Sequence, residues 1–176
     1  ISLNINYGDL VSIVGPNGSG KSTLVRLISG DVAPTAGNIL FLNKSINNWD
    51  INSLAKKRAV LSQSMPLSFP FSVFDIITMG RFPYNKEGKL NSEEMDHCYF
   101  LIETFDLKNL IYRTYTSLSG GEQQRVQLAR SFAQIWNDDG YDKKLIILDE
   151  PTNHLDIKHQ LALLEKEKLL PIKRPR

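Results

Sequence analysis

Eight residues, Gly15-Pro16-Asn17-Gly18-Ser19-Gly20-Lys21-Ser22, have the types and spacing needed to hold a chain of phosphates. The pattern is Gly, four residues, then Gly-Lys-Ser. Glycines let the backbone wrap closely around a polyphosphate with its N–H groups turned inward. A helix that begins at the end of the loop adds the partial positive charge of its N-terminus. The Lys21 ammonium can reach the β- and γ-phosphates, and the Ser22 hydroxyl can ligate Mg²⁺, with Thr23 next in line. A second segment offers the complementary acid chemistry. Leu145-Ile146-Ile147-Leu148 is a short apolar run that ends in Asp149-Glu150. It reads as a buried parallel strand delivering two carboxylates at its C-terminal edge, where α/β sheets place their ligands. Asp149 would hold Mg²⁺ through water, and Glu150 would orient an attacking water.

Elements of regular structure must put these groups in place. The apolar run Leu10 to Val14 predicts a buried strand before the loop, and Leu24, Leu27 and Ile28 predict a helix after it, over Thr23 to Ser29. Ile1–Ile5 and Asn38–Leu42 read as further strands, with turns at Tyr7-Gly8-Asp9 and Thr35-Ala36-Gly37. A short helix is expected over Asn52 to Arg58 and a strand at Ala59-Val60-Leu61. Met65-Pro66 and Phe69-Pro70 then interrupt the periodicity. Three helices follow. One covers Val73 to Met79 and stops at Gly80. One runs from Asn91 to Phe105, where Asn91 and Glu94 can form a capping box, with Met95, Cys98, Tyr99, Ile102 and Phe105 along one face and His97 on the surface. The last covers Gly121 to Gln134, with Val126, Ala129 and Ala133 facing inward. The plan is an α/β nucleotide-binding core, residues 1–63 and 134–176, interrupted by a helical subdomain at 64–133.

Composition sets the bounds. The 176 residues are 41% hydrophobic, enough for one sizeable core or two small lobes. A net charge of +2 gives no argument for nucleic acid or a membrane surface as partner. The single cysteine, Cys98, excludes an internal disulfide and fits a reducing compartment. No apolar run approaches the roughly 18 residues needed to span a bilayer.

With these motifs in hand, the chain resembles the nucleotide-binding subunit of an ATP-binding-cassette (ABC) transporter. Leu118-Ser119-Gly120-Gly121-Glu122-Gln123-Gln124-Arg125 follows that family's signature motif almost letter for letter. The resemblance implies an ABC-type phosphate-loop ATPase fold: a mainly parallel core sheet of RecA-like type, a small antiparallel part and an inserted helical subdomain. It implies ATP and Mg²⁺ as ligands. Gly15 to Thr23 would hold ATP in one protomer, while Leu118, Ser119, Gly120, Gly121, Glu122 and Gln123 would meet the γ-phosphate from the other, so a homodimer of cassettes is expected. Gln63 matches the lid glutamine, a ligand of Mg²⁺ that links the nucleotide to the membrane partner. Asp156, in Pro151-Thr152-Asn153-His154-Leu155-Asp156, matches the loop that contacts the opposite protomer. Catalysis would rest on Glu150, Gln63 and Lys21, and the metal on Ser22, Gln63 and Asp149.

A narrower resemblance is to importers of iron complexes, haemin in particular. It is carried by Gly30 to Gly37, by Leu67-Ser68-Phe69-Pro70-Phe71-Ser72-Val73 and by Met79-Gly80-Arg81. It implies integral membrane permease subunits as partners, a periplasmic or surface substrate-binding protein acting indirectly, and a peripheral place on the cytoplasmic face of the cell membrane. Phe69 and Phe71 would suit the pocket for a permease helix; they could equally belong to the core of the helical subdomain. A soluble cassette ATPase of ribosome-associated or repair type, and a hydrolysis-deficient fragment, are the alternatives. Two parts of the family pattern are not found in this sequence. The upstream aromatic that stacks on adenine would precede Ile1, and Tyr7 falls too late to be it. A later strand ending in histidine is also missing, since neither His154 nor His159 follows such a strand. The expectation is a chain shortened at both ends that binds Mg-ATP weakly and hydrolyses it poorly.

Overall fold

The computed structural model describes residues 1–61, 69–84, 89–136 and 143–149. The chain divides into two units, Ile1–Trp49 and the part from Asp50 onward.

In the first unit, α1 spans Lys21–Ile28. It closes in a Schellman arrangement: Asp31 N–H donates to Arg26 O at 3.0 Å and Gly30 N–H to Leu27 O at 3.0 Å, which satisfies the last carbonyls. β1 (Leu40–Phe41) and β2 (Lys44–Ser45) pair antiparallel, Leu40 opposite Ser45 and Phe41 opposite Lys44. Leu42 and Asn43 make the two-residue turn between them at φ 50° and 60°, the backbone sign that matches the right-handed twist of a hairpin. The strand expected over Asn38–Leu42 therefore ends at Phe41. Trp49 folds back on the hairpin: its indole N–H donates to Phe41 O at 3.2 Å and its ring lies 5.5 Å from that of Phe41.

Two expectations fail in this unit. Ile1–Ile5 and Leu10–Val14 form no strand, and their apolar side chains face outward, Leu10 at 70% and Val14 at 91% exposure. An apolar run becomes a strand only where a neighbour satisfies its N–H and C=O groups and covers its side chains. Among the described residues neither segment has such a neighbour.

In the second unit, α2 (Ile51–Ala55) starts from Asp50, whose carboxylate accepts from Ser53 N–H at 2.9 Å. That hydrogen bond holds the Asp50 carboxyl below its ordinary range. The helix expected as far as Arg58 stops at Ala55 because Arg58 already opens β3 (Arg58–Leu61). β3 pairs in parallel register with β4 (Leu145–Leu148), Leu61 beside Leu148. This is the parallel strand expected of the apolar run before Asp149. Helices α3 (Val73–Met79), α4 (Ser92–Thr104) and α5 (Gly120–Ile135) supply most of the core. Each begins with a capping box, Ser72–Asp75, Asn91–Glu94 and Ser119–Glu122, so the N–H groups that a helix start leaves unpaired are met locally.

The core is built from Val73, Ile76 and Ile77 of α3, Leu101 and Ile102 of α4, and Val126, Leu128 and Ala129 of α5, all at 1% exposure or less. The inward positions expected on α5 are as found. On α4 the buried stripe is rotated from the expected face: His97 and Leu101 are inside, and Tyr99 is outside, resting on Phe74 with ring centres 5.7 Å apart. His97 is thus a buried residue and not the surface one expected. α4 meets both α3 and α5, so its apolar stripe must be wide enough for two neighbours. Burial among these helices also pushes the Cys98 thiol up to about 11.

Candidate functional site

The loop from Gly15 to Gly20 leads into α1 without a capping side chain. Gly20 occupies the N-cap in the left-handed region, φ 91° and ψ 11°, a conformation any side chain would strain. No side chain caps the first turn and no acidic residue lies within it. The helical ladder begins with Leu24 N–H on Gly20 O at 2.9 Å. α3, α4 and α5 each close their start with their own carboxylate; α1 leaves its positive end open. The Lys21 ammonium is drawn over the loop by the loop's own carbonyls, at 2.8 Å from Gly15 O and 3.0 Å from Pro16 O. Ser19 N–H turns back onto Pro16 O at 3.2 Å. Pro16, Asn17, Gly18, Ser19, Gly20, Ser22 and Thr23 are exposed, and Gly15 and Lys21 half-buried. The arrangement can take a polyanion: main-chain donors, a helix end and an ammonium converge, and nothing of opposite charge competes among the described residues of the loop.

The acidic edge comes from the parallel pair. Asp149 N–H donates to Leu61 O at 2.9 Å, which continues the ladder one step beyond β4 and fixes where the Asp149 backbone stands. Asp149 itself is half-buried. Gln63, Glu150 and Asp156 lie outside the described residues. Among the described residues no group of three His, Cys, Asp or Glu could hold a metal. Within their own units, Ser22 brings a hydroxyl to the first turn of α1 and Asp149 a carboxylate to the step beyond β4; both are hard oxygen donors.

Ser119 is the N-cap of α5, with Gly120 and Gly121 in its first turn. Its N–H and its hydroxyl both donate to Glu122 Oε2, each at 2.8 Å. These bonds hold the Glu122 carboxyl below its ordinary range. Ser119 and Gly120 are exposed, whereas Leu118 is buried. Gln123 does not face outward: its amide donates to Tyr115 O and Leu118 O, both at 3.2 Å, and so holds the turn that leads into the helix.

Several residues support this segment through contacts that the sequence did not disclose. Arg125 donates to Phe105 O at 3.2 Å and Asp106 O at 3.0 Å, a cation at the C-terminus of α4. Arg81, 3% exposed, does the same for α5 through Ala133 O and Trp136 O, at 2.8 and 2.5 Å, and its guanidinium lies 3.9 Å from the centre of the Tyr84 ring. Gln134 donates to Ala55 O and Arg58 O, both at 3.0 Å, and so ties the far end of α5 to the start of β3. A basic or amide residue at these positions carries no spacing signal, because its partners are main-chain carbonyls far away in sequence. Phe69 is exposed at 69%, and Phe71 is half-buried against the core, with ring centres 6.0 Å apart.

Comparison with known proteins agrees with this geometry. Residues 1–153 match the family described as ABC transporter. The chain is 41% identical over 168 residues to the hemin import ATP-binding protein HmuV of Hahella chejuensis, covering 94% of this chain and 63% of that protein. It is 45% identical over 163 residues to HmuV of Escherichia coli O157:H7, covering 93% of this chain and 61% of that one. The chain thus spans about three-fifths of the length of these curated relatives. Among solved structures, the dimeric bacterial ABC transporter cassette MJ0796 superposes with a TM-score of 0.78 at 31% identity, covering 96% of this chain and 72% of that one. An α/β fold that holds, among the described residues, a parallel and an antiparallel strand pair agrees with these matches: the chain belongs to the ABC transporter family.

Proposed function

We propose that this protein is the ATP-binding and ATP-hydrolysing subunit of an ABC importer that takes up haemin or a related ferric complex. The observation that carries the reading is the open start of α1, where Lys21 is poised over an uncapped helix end. The haemin assignment rests on the names of the two relatives at 41% and 45% identity. In this reading Gly15 to Thr23 bind the triphosphate, with Lys21 as its counter-charge. Ser22, Asp149 and Gln63 hold Mg²⁺, which when bound neutralises phosphate charge. Glu150 orients the water for in-line attack on the γ-phosphate, so that positioning and electrostatics supply most of the rate. Leu118 to Gln123, and Asp156, act across a homodimer of cassettes, on subdomain boundaries of 1–63 with 134–176 for the core and 64–133 for the helical part. Permease subunits dock near Phe69, a substrate-binding protein delivers the cargo to them, and the cassette sits on the cytoplasmic face of the membrane; no nucleic acid takes part.

The test is MgATP binding and single-turnover hydrolysis with Lys21→Ala and Glu150→Gln. Lys21→Ala is expected to abolish binding, and Glu150→Gln to keep binding while trapping an ATP-bound dimer. Unchanged ATP affinity in the first, or retained turnover in the second, contradicts the assignment. Co-purification with an integral membrane subunit separates an importer from a soluble cassette ATPase.

A further inference from the structure

One buried tyrosine stands between the Phe69–Phe74 segment and the signature. Tyr115 is 7% exposed, and all three of its hydrogen-bonding groups are engaged. Its N–H donates to Phe71 O at 2.9 Å. Its carbonyl accepts from Gln123 Nε2 at 3.2 Å and from Leu118 N–H at 3.1 Å. Its hydroxyl accepts from Gln127 Nε2 at 3.1 Å. The bond to Phe71 is part of a short antiparallel bridge. Ser72 pairs with Thr114, Val73 N–H donates to Arg113 O at 3.0 Å, and Phe74 N–H to Ile111 O at 3.0 Å. From Tyr115 a single 3₁₀ turn, Tyr115–Ser117, leads to Leu118 and Ser119. Tyr115 is therefore bonded to α5 twice, through Gln123 and Gln127, and to the segment at Phe71 once.

We infer that Tyr115 is a positioning residue: it fixes where Ser119 and Gly120 stand on α5, and it makes the Phe69–Phe74 segment and the signature turn move as one body. The inference rests on the proposed use of Ser119 and Gly120 toward a nucleotide held by a second copy of this chain. Three main-chain hydrogen bonds join the two segments, and only three residues separate Tyr115 from Ser119. A displacement of Phe69 or Phe71 is therefore carried to the anion-binding end of α5 and not absorbed between them. Tyr115 touches no nucleotide in this account; it acts through its hydroxyl on Gln127, through Gln123 and through the turn.

The test uses ATP-driven dimer formation in the Glu150→Gln protein, followed by light scattering against ATP concentration. Tyr115→Phe alone leaves the buried Gln127 amide unpaired, so it is combined with Gln127→Leu, which makes the pair apolar and close to neutral for stability. The double variant is expected to melt near the parent and to need about fivefold more ATP for half-maximal dimer, a coupling of ordinary size. Dimer formation at the parent's ATP concentration, with unchanged melting, would show that the hydroxyl is only structural and overturn the inference. A second variant carries the test should that pair fail to fold. Ser72→Cys with Thr114→Cys is compared oxidised and reduced, so that the lost Ser72 cap is common to both states. The cross-linked form is expected to dimerise as the reduced form does, because the two segments already move together. A loss on oxidation that a reductant restores would overturn the inference. If the Glu150→Gln parent forms no ATP-dependent dimer, with Tyr115 intact, then the functional reading itself fails and the inference falls with it.

Discussion

Among the described residues, the starts of α1 and α5 are the two places where a helix N-terminus and glycines turn toward solvent, and they are finished in opposite ways. α1 begins bare: Gly20 has no side chain to offer, no acid lies in the first turn, and Lys21 brings a positive charge to the same spot. α5 begins closed: Ser119 and Glu122 satisfy each other, and Gln123, Tyr115 and Arg125 tie the turn to the core. The surroundings differ as well. Only Ser29 and Ile46 are buried in the first unit, whereas the continuous core belongs to the second. A local device suffices at α1 because a loop that bends back on its own carbonyls keeps its shape without tertiary help. At α5 the same end-of-helix chemistry is held by long-range contacts, so its geometry depends on the packing of three helices. Binding and stability should therefore respond separately at the two ends.

The largest expected effect is on binding. Lys21→Ala removes the charge that the first turn of α1 carries and should weaken ATP binding by at least about a hundredfold, in line with the strength of charge-assisted phosphate contacts, while melting changes little. Calorimetric titration beside thermal melting checks both halves, and a parallel loss of stability would break the comparison.

Next is a close approach in the second unit. A Cβ at Gly80 would stand 2.4 Å from Arg130 O and 2.9 Å from the Ala133 methyl. Gly80→Ala must push α3 away from α5, at about 2–3 kcal/mol. Denaturant unfolding should show it; a neutral result would mean that the helices are not packed as described.

The third effect is a pH dependence. The Cys98 thiol is raised from 9.0 to about 11 by burial. The unfolded chain loses its thiol proton first, so the stabilising contribution is intact below pH 9 and is lost as pH rises through the folded value. At most about 2–3 kcal/mol should disappear over that window, and Cys98→Ala should remove this part of the alkaline slope.

The smallest effect is at the α5 cap. Ser119→Ala should cost about 1 kcal/mol. The contribution of Glu122 has the opposite pH sense: its carboxyl is held low, so its stabilisation is present above the ordinary glutamate range and is lost as pH falls through the lowered value. Glu122→Gln should flatten that acid limb.

What the sequence disclosed follows the same division. Features written into a few consecutive residues were legible: the capping box at Asn91, the α3 limits at Val73 and Met79, and the parallel strand before Asp149. Features that depend on a distant neighbour were not. Leu10–Val14 has the apolar run of a strand but no ladder partner among the described residues. The buried face of α4 is set by packing against α3 and α5 together, which moved His97 inside and Tyr99 out. Tyr115 and Arg81 act through main-chain carbonyls and leave no spacing to read. Gln63, Glu150 and Asp156 are named by motif alone.

The central claim is that the open start of α1 is the triphosphate site, and a crystal structure of the protein grown with MgATP tests it most directly. The account predicts phosphate oxygens on the main-chain N–H groups between Gly18 and Ser22, with the Lys21 ammonium moved from the Gly15 and Pro16 carbonyls onto them. A nucleotide bound elsewhere, with Lys21 still on those two carbonyls and the α1 start empty, would contradict it.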